Sequence, residues 1–171
     1  MRLYSAKIPI IAREIVAELA SAGDIEVSNR EEAELDMQAV LKEYLRADRE
    51  LTEKAKDLME QRGLPREQFG KIKRAAADEK GFGLGEEALV WIANQILETF
   101  MHSQWVDEVF ADDTELRKKM KVIIRRHMLV DEEIDTEVRQ RIRNLQEGSS
   151  AWEVEYSKVM EQIKQKRGIK E

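Results

Sequence analysis

The two histidines of the chain are the first residues to consider for chemistry, because imidazole binds metals and exchanges protons near neutral pH. On a helix, Glu98 lies one turn before His102, so the pair could offer two metal ligands from one face. His127 and Asp131 have the same spacing. A tight site needs three or four ligands, and the sequence lacks the Glu-x-x-His pairs of di-iron bundles. We therefore predict no metal site. We expect a surface salt link between Glu98 and His102, and we expect His127 to lie at the edge of the apolar face of its helix.

Nucleophilic catalysis has no candidate in the sequence. The chain has no cysteine, no phosphate-binding glycine loop, no nucleotide fingerprint and no strained serine turn. Pairs of carboxylates do occur, but 35 acidic residues on long helices produce such pairs by chance. We predict no catalytic residue and no cofactor, which favours a non-enzymatic protein. A ligand-binding protein or an enzyme without a recognisable motif is the third alternative for function.

A basic run in the second half is the strongest local charge signal, since no acidic residue occurs between Leu116 and Val130. Within it, Lys118, Lys121 and Arg125 share one face of a helix, which could follow a phosphate backbone. Nucleic acid or ribosomal RNA is therefore one predicted partner. The alternative is a solvated face balanced by acidic neighbours, and a formal net charge of −6 gives no overall attraction to phosphates.

Two further groups of residues could contact a partner. Trp105, Val106, Val109 and Phe110 lie in a link between predicted helices, where they form either an exposed patch for a partner protein or a hydrophobic staple under the next helix.

Asp48 and Asp131 interrupt the apolar seams of two long predicted helices, at matching positions. A buried carboxylate is costly unless it is paired. In a functional role, each aspartate would fix the register of helix packing or contact a partner. In a structural role, it would lie at the rim of its seam, paired with a neighbouring arginine, or at a bend of the helix.

The elements that position these residues come from a sequence that repeats itself. The segment Ile11–Leu19 returns 81 residues later as Ile92–Phe100, with apolar residues at the same helical positions. The offset grows to 83 at Met37 and to 87 at Phe69. The repeat predicts two copies of one helical module of roughly 80 residues.

In the first module, periodicity and capping signals predict three helices. Ser28 and Glu31 have the spacing of a capping box before the long helix. The predicted helices run from Ile8 to Ala22, from Glu31 to Gln61, and from Pro65 to Glu79, the last burying Phe69, Ile72 and Ala76.

Three glycines between Gly81 and Gly85 mark the boundary between the modules. Capping boxes beginning at Asp112 and Ser150 are predicted to start the later helices of the second module. Its predicted helices run from Glu86 to Ser103, from Asp112 to Gln146, and from Ser150 to Lys166.

Each long helix carries an apolar seam, from Met37 to Leu58 in the first module and from Met120 to Ile142 in the second. We expect the two shorter helices of the same module not to cover this seam fully. We expect the seams to meet each other in a pseudo-twofold arrangement, or to meet a second chain.

The chain resembles a small bacterial protein family of unknown function, numbered 507. Its shorter members resemble a single module, so the resemblance implies a tandem, two-module form that covers the whole chain. It implies no activity, substrate or catalytic residue. The residues that carry it are Met1-Arg2-Leu3, Lys7-Ile8, Ala12, Ile15-Val16, Val27–Glu32, Glu132–Val138, Lys80–Phe82 and Lys166–Ile169.

The sequence as a whole predicts an all-α protein of two tandem, pseudo-equivalent three-helix modules, residues 1–82 and 83–171, each built on one long amphipathic helix. Charged residues make up 37% of the chain, no apolar stretch fits a signal peptide or membrane span, and cysteine is absent, so we expect a cytoplasmic protein. The leading functional hypothesis is an interaction or scaffolding protein that binds a protein partner or a second copy of itself, with no membrane contact.

Overall fold

The computed structural model describes residues 2–147 and 149–168, and the side chains of all of these except Val130 and Asp131. Over these residues the chain forms six α-helices, two short strands and two single 3₁₀ turns. The mostly helical architecture predicted from the sequence is confirmed. The elements are α1 (Ile8–Ser21), β1 (Ile25–Val27), α2 (Arg30–Arg62), α3 (Phe69–Lys80), α4 (Glu87–His102), β2 (Val106–Val109), α5 (Asp113–Arg141) and α6 (Ser150–Lys166).

Four helices surround the main hydrophobic core. Helix α1 packs against α2 and α5, and α4 also packs against α2 and α5, so the helices follow one another around the core in the order α1, α2, α4, α5. The long helices α2 and α5 therefore occupy opposite corners. Their seams contribute Met37 and Met120 to one core, and each long helix packs most closely on a shorter one, α2 on α1 and α5 on α4. The predicted pseudo-twofold arrangement of the seams and their contact with a second chain stay predictions.

The helix starts show which polar residues act as caps. The side chain of Asn29, not Ser28, accepts the Glu32 backbone N–H at 3.2 Å. Ser28 instead donates from its hydroxyl to the carbonyl of Trp105 at 3.3 Å. Helix α6 is likewise capped one residue earlier than predicted, by Ser149. At the start of α5, Asp112 caps as predicted by accepting the Glu115 N–H at 2.9 Å.

The links after α1 and α4 form a two-stranded antiparallel sheet, which the sequence did not predict. Ile25 lies opposite Val109, and Val27 lies opposite Val106. Strands of three and four residues are too short to show an alternating pattern, and their pairing joins distant parts of the chain. The strictly all-α prediction is therefore wrong at these two links.

The second halves of α2 and α5 are covered separately. Helix α3 packs against α2 and buries Ala76 and Ala77, whereas Phe69 and Ile72, which we predicted to be buried, are only half-buried. Helix α6 packs against α5, which ends at Arg141, five residues before the predicted end. This helix pair has a small core of its own, made of Ile134, Val138, Ile142, Val159 and Ile163.

The glycine-rich segment between α3 and α4 is fixed to the main core. Gly81 adopts the left-handed conformation that ends α3 (φ 63°). The Phe82 ring stacks on Tyr44 at 4.8 Å between centroids and lies 5.1 Å from the Trp91 ring. The predicted boundary between the modules is thus an ordered, buried turn. Among the described residues, no helix combines the length and the apolar character needed to cross a membrane.

Candidate interaction surfaces

The basic run lies on α5, and most of its charges contact other helices or their flanking residues. Four of its six Arg and Lys residues have such partners. The pairs are Arg117 with Asn94, Lys119 with Asp24, Arg125 with Glu86, and Arg126 with Glu14. Three of these positions, Lys119, Arg125 and Arg126, are thus balanced by acidic residues in or beside α1 and α4, whereas Arg117 is bound by a neutral amide.

The pair formed by Lys119 and Asp24 is the most enclosed of these contacts. The two atoms, Nζ and Oδ2, lie 2.6 Å apart, and the Asp24 carboxylate is almost completely covered. The hydrogen bond to Asp24 raises the pKa of the Lys119 ammonium above its ordinary value, and the charges of Asp24 and Glu115 act in the same direction. Lys119 therefore fastens the start of α5 to the end of α1 and is not available to a ligand.

Part of the basic run forms a short accessible ridge on α5. Lys118 is exposed and Lys121 is half-buried, and neither forms an ion pair within the part of the chain that the structure describes. Between them and Arg125 lies Val122, whose surface is 59% exposed. We call Lys118, Lys121, Val122 and Arg125 the basic ridge, since they share one face of the helix.

The histidines lie on different helices and have different surroundings. His127 Nε2 is 2.5 Å from Oε2 of Glu14 on α1, so this histidine is at the edge of a helix contact as predicted. Glu98 and His102 both border a groove on α4, but the predicted salt link between them is not formed. Within residues 2–147 and 149–168, no three His, Asp or Glu side chains whose positions are described come close enough together to hold a metal ion.

The predicted aromatic patch is largely covered. Val106 is buried in β2, and Trp105 and Val109 are half-buried against the main core. Phe110 alone of the four is exposed, at 65% of its surface. The staple interpretation therefore describes this segment better than an exposed patch does.

Asp48 lies at the rim of the α2 seam. Its Oδ1 atom is 2.7 Å from Nζ of Lys73 on α3, so the carboxylate is paired across the helix contact. The rim interpretation is correct here, with a lysine in place of the arginine we predicted. The side chain of Asp131, the matching position in α5, lies outside the described residues.

A groove between α2 and α4 was not predicted. It consists of two adjoining hollows of about 260 and 480 Å³, which share Asp36, Gln95 and Thr99 as walls. The remaining lining residues are Ala39, Val40, Glu43, Trp91, Glu98, His102 and Ser103. Its position depends on the antiparallel contact of two helices that are separated in sequence, which periodicity alone does not reveal.

The groove has an apolar part and an acidic part. Val40, Ala39 and Trp91 supply the apolar surface, and the Trp91 ring is held by its contact with Tyr44 at 5.6 Å between centroids. The acidic part consists of Asp36, Glu43 and Glu98.

Two of the three groove acids already have partners. Asp36 accepts a hydrogen bond from Ser103, and Glu43 accepts from Nε of Arg46 at 2.8 Å. The hydrogen bonding of Arg46 to Glu43, together with the positive charge of Arg46, lowers the pKa of Glu43 below its ordinary value. Glu43 is therefore ionised at neutral pH. Glu98 is exposed and has no ion pair among the described residues, which leaves its carboxylate free for a cation.

Comparison with known proteins identifies a family for this chain but no activity. The sequence matches the family described as "Protein of unknown function (DUF507)" in one alignment that spans residues 1–169. No curated protein matches it.

Proposed function

This chain belongs to the DUF507 family, and we propose that it is a non-enzymatic interaction protein whose α2/α4 groove receives a helix of a partner protein. The observation that supports this function is the groove itself, with apolar surface at Val40 and Trp91 and a free carboxylate at Glu98. Amphipathic helices commonly bind in grooves of this kind, with apolar anchors in the floor and charges at the walls.

The chemistry of the groove defines the partner helix. An acidic wall favours lysine or arginine, and the small apolar floor favours an aliphatic side chain. The groove follows α2 from Asp36 to Glu43, about 10 Å at the ~1.5 Å rise of a helix. The partner would therefore contribute about two helical turns, with basic residues three or four positions apart around one aliphatic residue.

Site-specific photocrosslinking in the native cell tests this proposal. A photoreactive residue replaces Gln95 in the groove wall, and the matched control replaces Gln61, an exposed glutamine of α2 outside the groove. We expect crosslinks to a protein from position 95 and not from position 61, and we expect Glu43→Lys/Glu98→Lys to abolish them. Identical crosslinks from both positions would contradict the proposal. No crosslinks, together with stabilisation by a small molecule, would favour a ligand-binding protein.

We also propose that the chain is a tandem of two related modules, residues 1–82 and 83–171. Two features support this. The contact of α1 with α5 corresponds, by the sequence repeat, to the contact of α4 with α2. The two matching links, β1 and β2, pair with each other in antiparallel orientation. We also propose a cytoplasmic location, since no apolar stretch of the sequence fits a signal peptide or a membrane span, and fractionation of the native cell would check this.

Nucleic acid is the second candidate partner, and Lys118 and Lys121 favour it because they lie on one accessible helix face and neither forms an ion pair among the described residues. Binding through phosphates would weaken steeply as salt rises, with a shallower slope after Lys118→Gln/Lys121→Gln. A titration of structured RNA at low ionic strength that shows no binding would eliminate this candidate.

A further inference from the structure

We propose that the partner in the α2/α4 groove is a second copy of this chain, which inserts the basic ridge of α5. The inference rests on the proposed function, since it takes the groove to be a helix-binding surface. The inference also identifies the bound helix as α5. Its ridge carries basic residues three or four positions apart around one aliphatic residue, which is the pattern that the groove favours.

The ridge and the α2 wall of the groove have the same length. The groove wall from Asp36 to Glu43 and the ridge from Lys118 to Arg125 each span seven residue steps, about 10 Å along a helix. Helices pack by placing the side-chain ridge of one in the groove of another. Val122, which is 59% exposed in a single copy, is the aliphatic residue that would contact the apolar floor.

The charges are complementary and in part free. Glu98 in the groove, like Lys118 and Lys121 on the ridge, has no ion pair among the described residues. Association would therefore allow Glu98 to pair with one of these lysines without breaking a pair inside either copy, whereas Glu43 would share its charge between Arg46 and the ridge. Because these groups are solvent-exposed, they would set orientation and association rate more than affinity, and salt would weaken them.

The ridge of one copy cannot enter its own groove. No ridge residue lines the α2/α4 groove of the same copy, and Arg125 is held by Glu86 beside the start of α4. Each copy therefore offers a ridge to one neighbour and a groove to another. Such a head-to-tail contact produces an open chain of copies, or a closed ring if the rotation allows it.

A charge exchange tests the proposal on the purified full-length protein. The ridge variant is Lys118→Glu/Lys121→Glu, and the groove variant is Glu43→Lys/Glu98→Lys. Sedimentation velocity at low ionic strength should show wild-type mass increasing with concentration and each variant remaining monomeric. A mixture of the two variants should assemble again, since each ridge then meets a groove of opposite charge. Circular dichroism and thermal melting establish that both variants are folded.

The matched controls are Glu67→Lys and Lys71→Glu, exposed charges outside both surfaces, which should assemble as wild type does. A wild-type protein that stays monomeric at all concentrations overturns the inference, as does assembly that the variants leave unchanged or that mixing fails to restore. The proposed function stands in those cases if position 95 crosslinks to a different protein. It fails if position 95 crosslinks to no protein.

Discussion

The hydroxyl of Tyr44 donates a hydrogen bond to the carbonyl of Gly83 at 3.2 Å, in the buried interior. The contact joins the middle of α2 to the turn that precedes α4. A Cβ atom at Gly83 would lie 2.4 Å from the carbonyl oxygen of Glu87, so only glycine fits there. The Tyr44 hydrogen bond and the close packing at Gly83 therefore hold the turn before α4 against the middle of α2.

Substitutions at these two positions should lower stability by different amounts. Tyr44→Phe removes one buried hydrogen bond and should cost about 1 kcal/mol, whereas Gly83→Ala forces the backbone apart and should cost about 1–3 kcal/mol. The matched control is Gly70→Ala in α3, where the added methyl meets open space and should stabilise by up to about 1 kcal/mol. Thermal and urea unfolding measure all three. Equal effects at Gly70 and Gly83 would contradict the close packing at Gly83.

Stability should fall at alkaline pH because of two tyrosines. Burial raises the pKa of the Tyr44 hydroxyl, helped by the charge of Asp48. Burial also raises the pKa of Tyr156, helped by its hydrogen bond to Asp135. The folded-state pKa of each tyrosine lies above the unfolded value of about 10. Each neutral tyrosine therefore contributes fully to the free energy of unfolding below pH ~10, and this contribution is lost as the pH rises through the folded-state pKa.

Urea unfolding at a series of pH values checks this prediction. Above pH ~10, each tyrosine can lower the free energy of unfolding by about 1.4 kcal/mol per pH unit. Tyr44→Phe should remove the part of this slope that is due to Tyr44. Tyrosinate absorbance should rise together with unfolding rather than before it. A Tyr44→Phe variant with the slope of the wild type would show that Tyr44 ionises freely in the folded protein.

Helix positions could be predicted from the sequence because each helix carries its own periodic apolar stripe and end signals. Ile8 begins α1 and Lys166 ends α6 at the predicted residues. Two caps differ from the prediction because neighbouring polar residues compete: Asn29 and Ser149 cap the helices where the spacing predicts Ser28 and Ser150. The local sequence does not say which of two adjacent side chains reaches the free amide.

The candidate site was predictable only in part. The spacing of Lys118, Lys121 and Arg125 is a local feature, so the sequence revealed that they share a face. Which basic side chains are neutralised depends on distant residues, since Glu86 is 39 positions from Arg125 and Asp24 is 95 positions from Lys119. The groove is formed by the contact of α2 with α4, and no local pattern encodes it.

The two hydrophobic cores should respond differently to a buried charge. Leu51 and Ile134 are each 1% exposed, but Leu51 belongs to the main core and Ile134 to the small core shared by α5 and α6. An unpaired carboxylate at either site should cost several kcal/mol. We expect Leu51→Asp to destabilise the whole molecule, and Ile134→Asp to unfold only α6 and the second half of α5.

Hydrogen exchange resolved by segment distinguishes these outcomes, because local opening and global unfolding expose different sets of amides to exchange. The control is Val154→Asp on α6, where the side chain is 66% exposed and the change should stay within about 0.5 kcal/mol. An unchanged melting temperature after Leu51→Asp would mean that the α2 seam faces solvent. Loss of protection in α1 after Ile134→Asp would mean that the two cores unfold as one.

Neither half of the chain should fold alone, although each contains one predicted module. Helix α1 packs on α5, α4 packs on α2, and β1 pairs with β2, so residues 1–82 and 83–171 each lack part of the main core. Each half would expose side chains such as Ile15 and Ile96, which are fully buried in the intact chain, and exposing one such side chain costs about 1.5–3 kcal/mol. Circular dichroism should show no cooperative melting for either half and recovery of helix and cooperativity on mixing them. A half that melts cooperatively at the temperature of the full chain would show that its core is complete without the other.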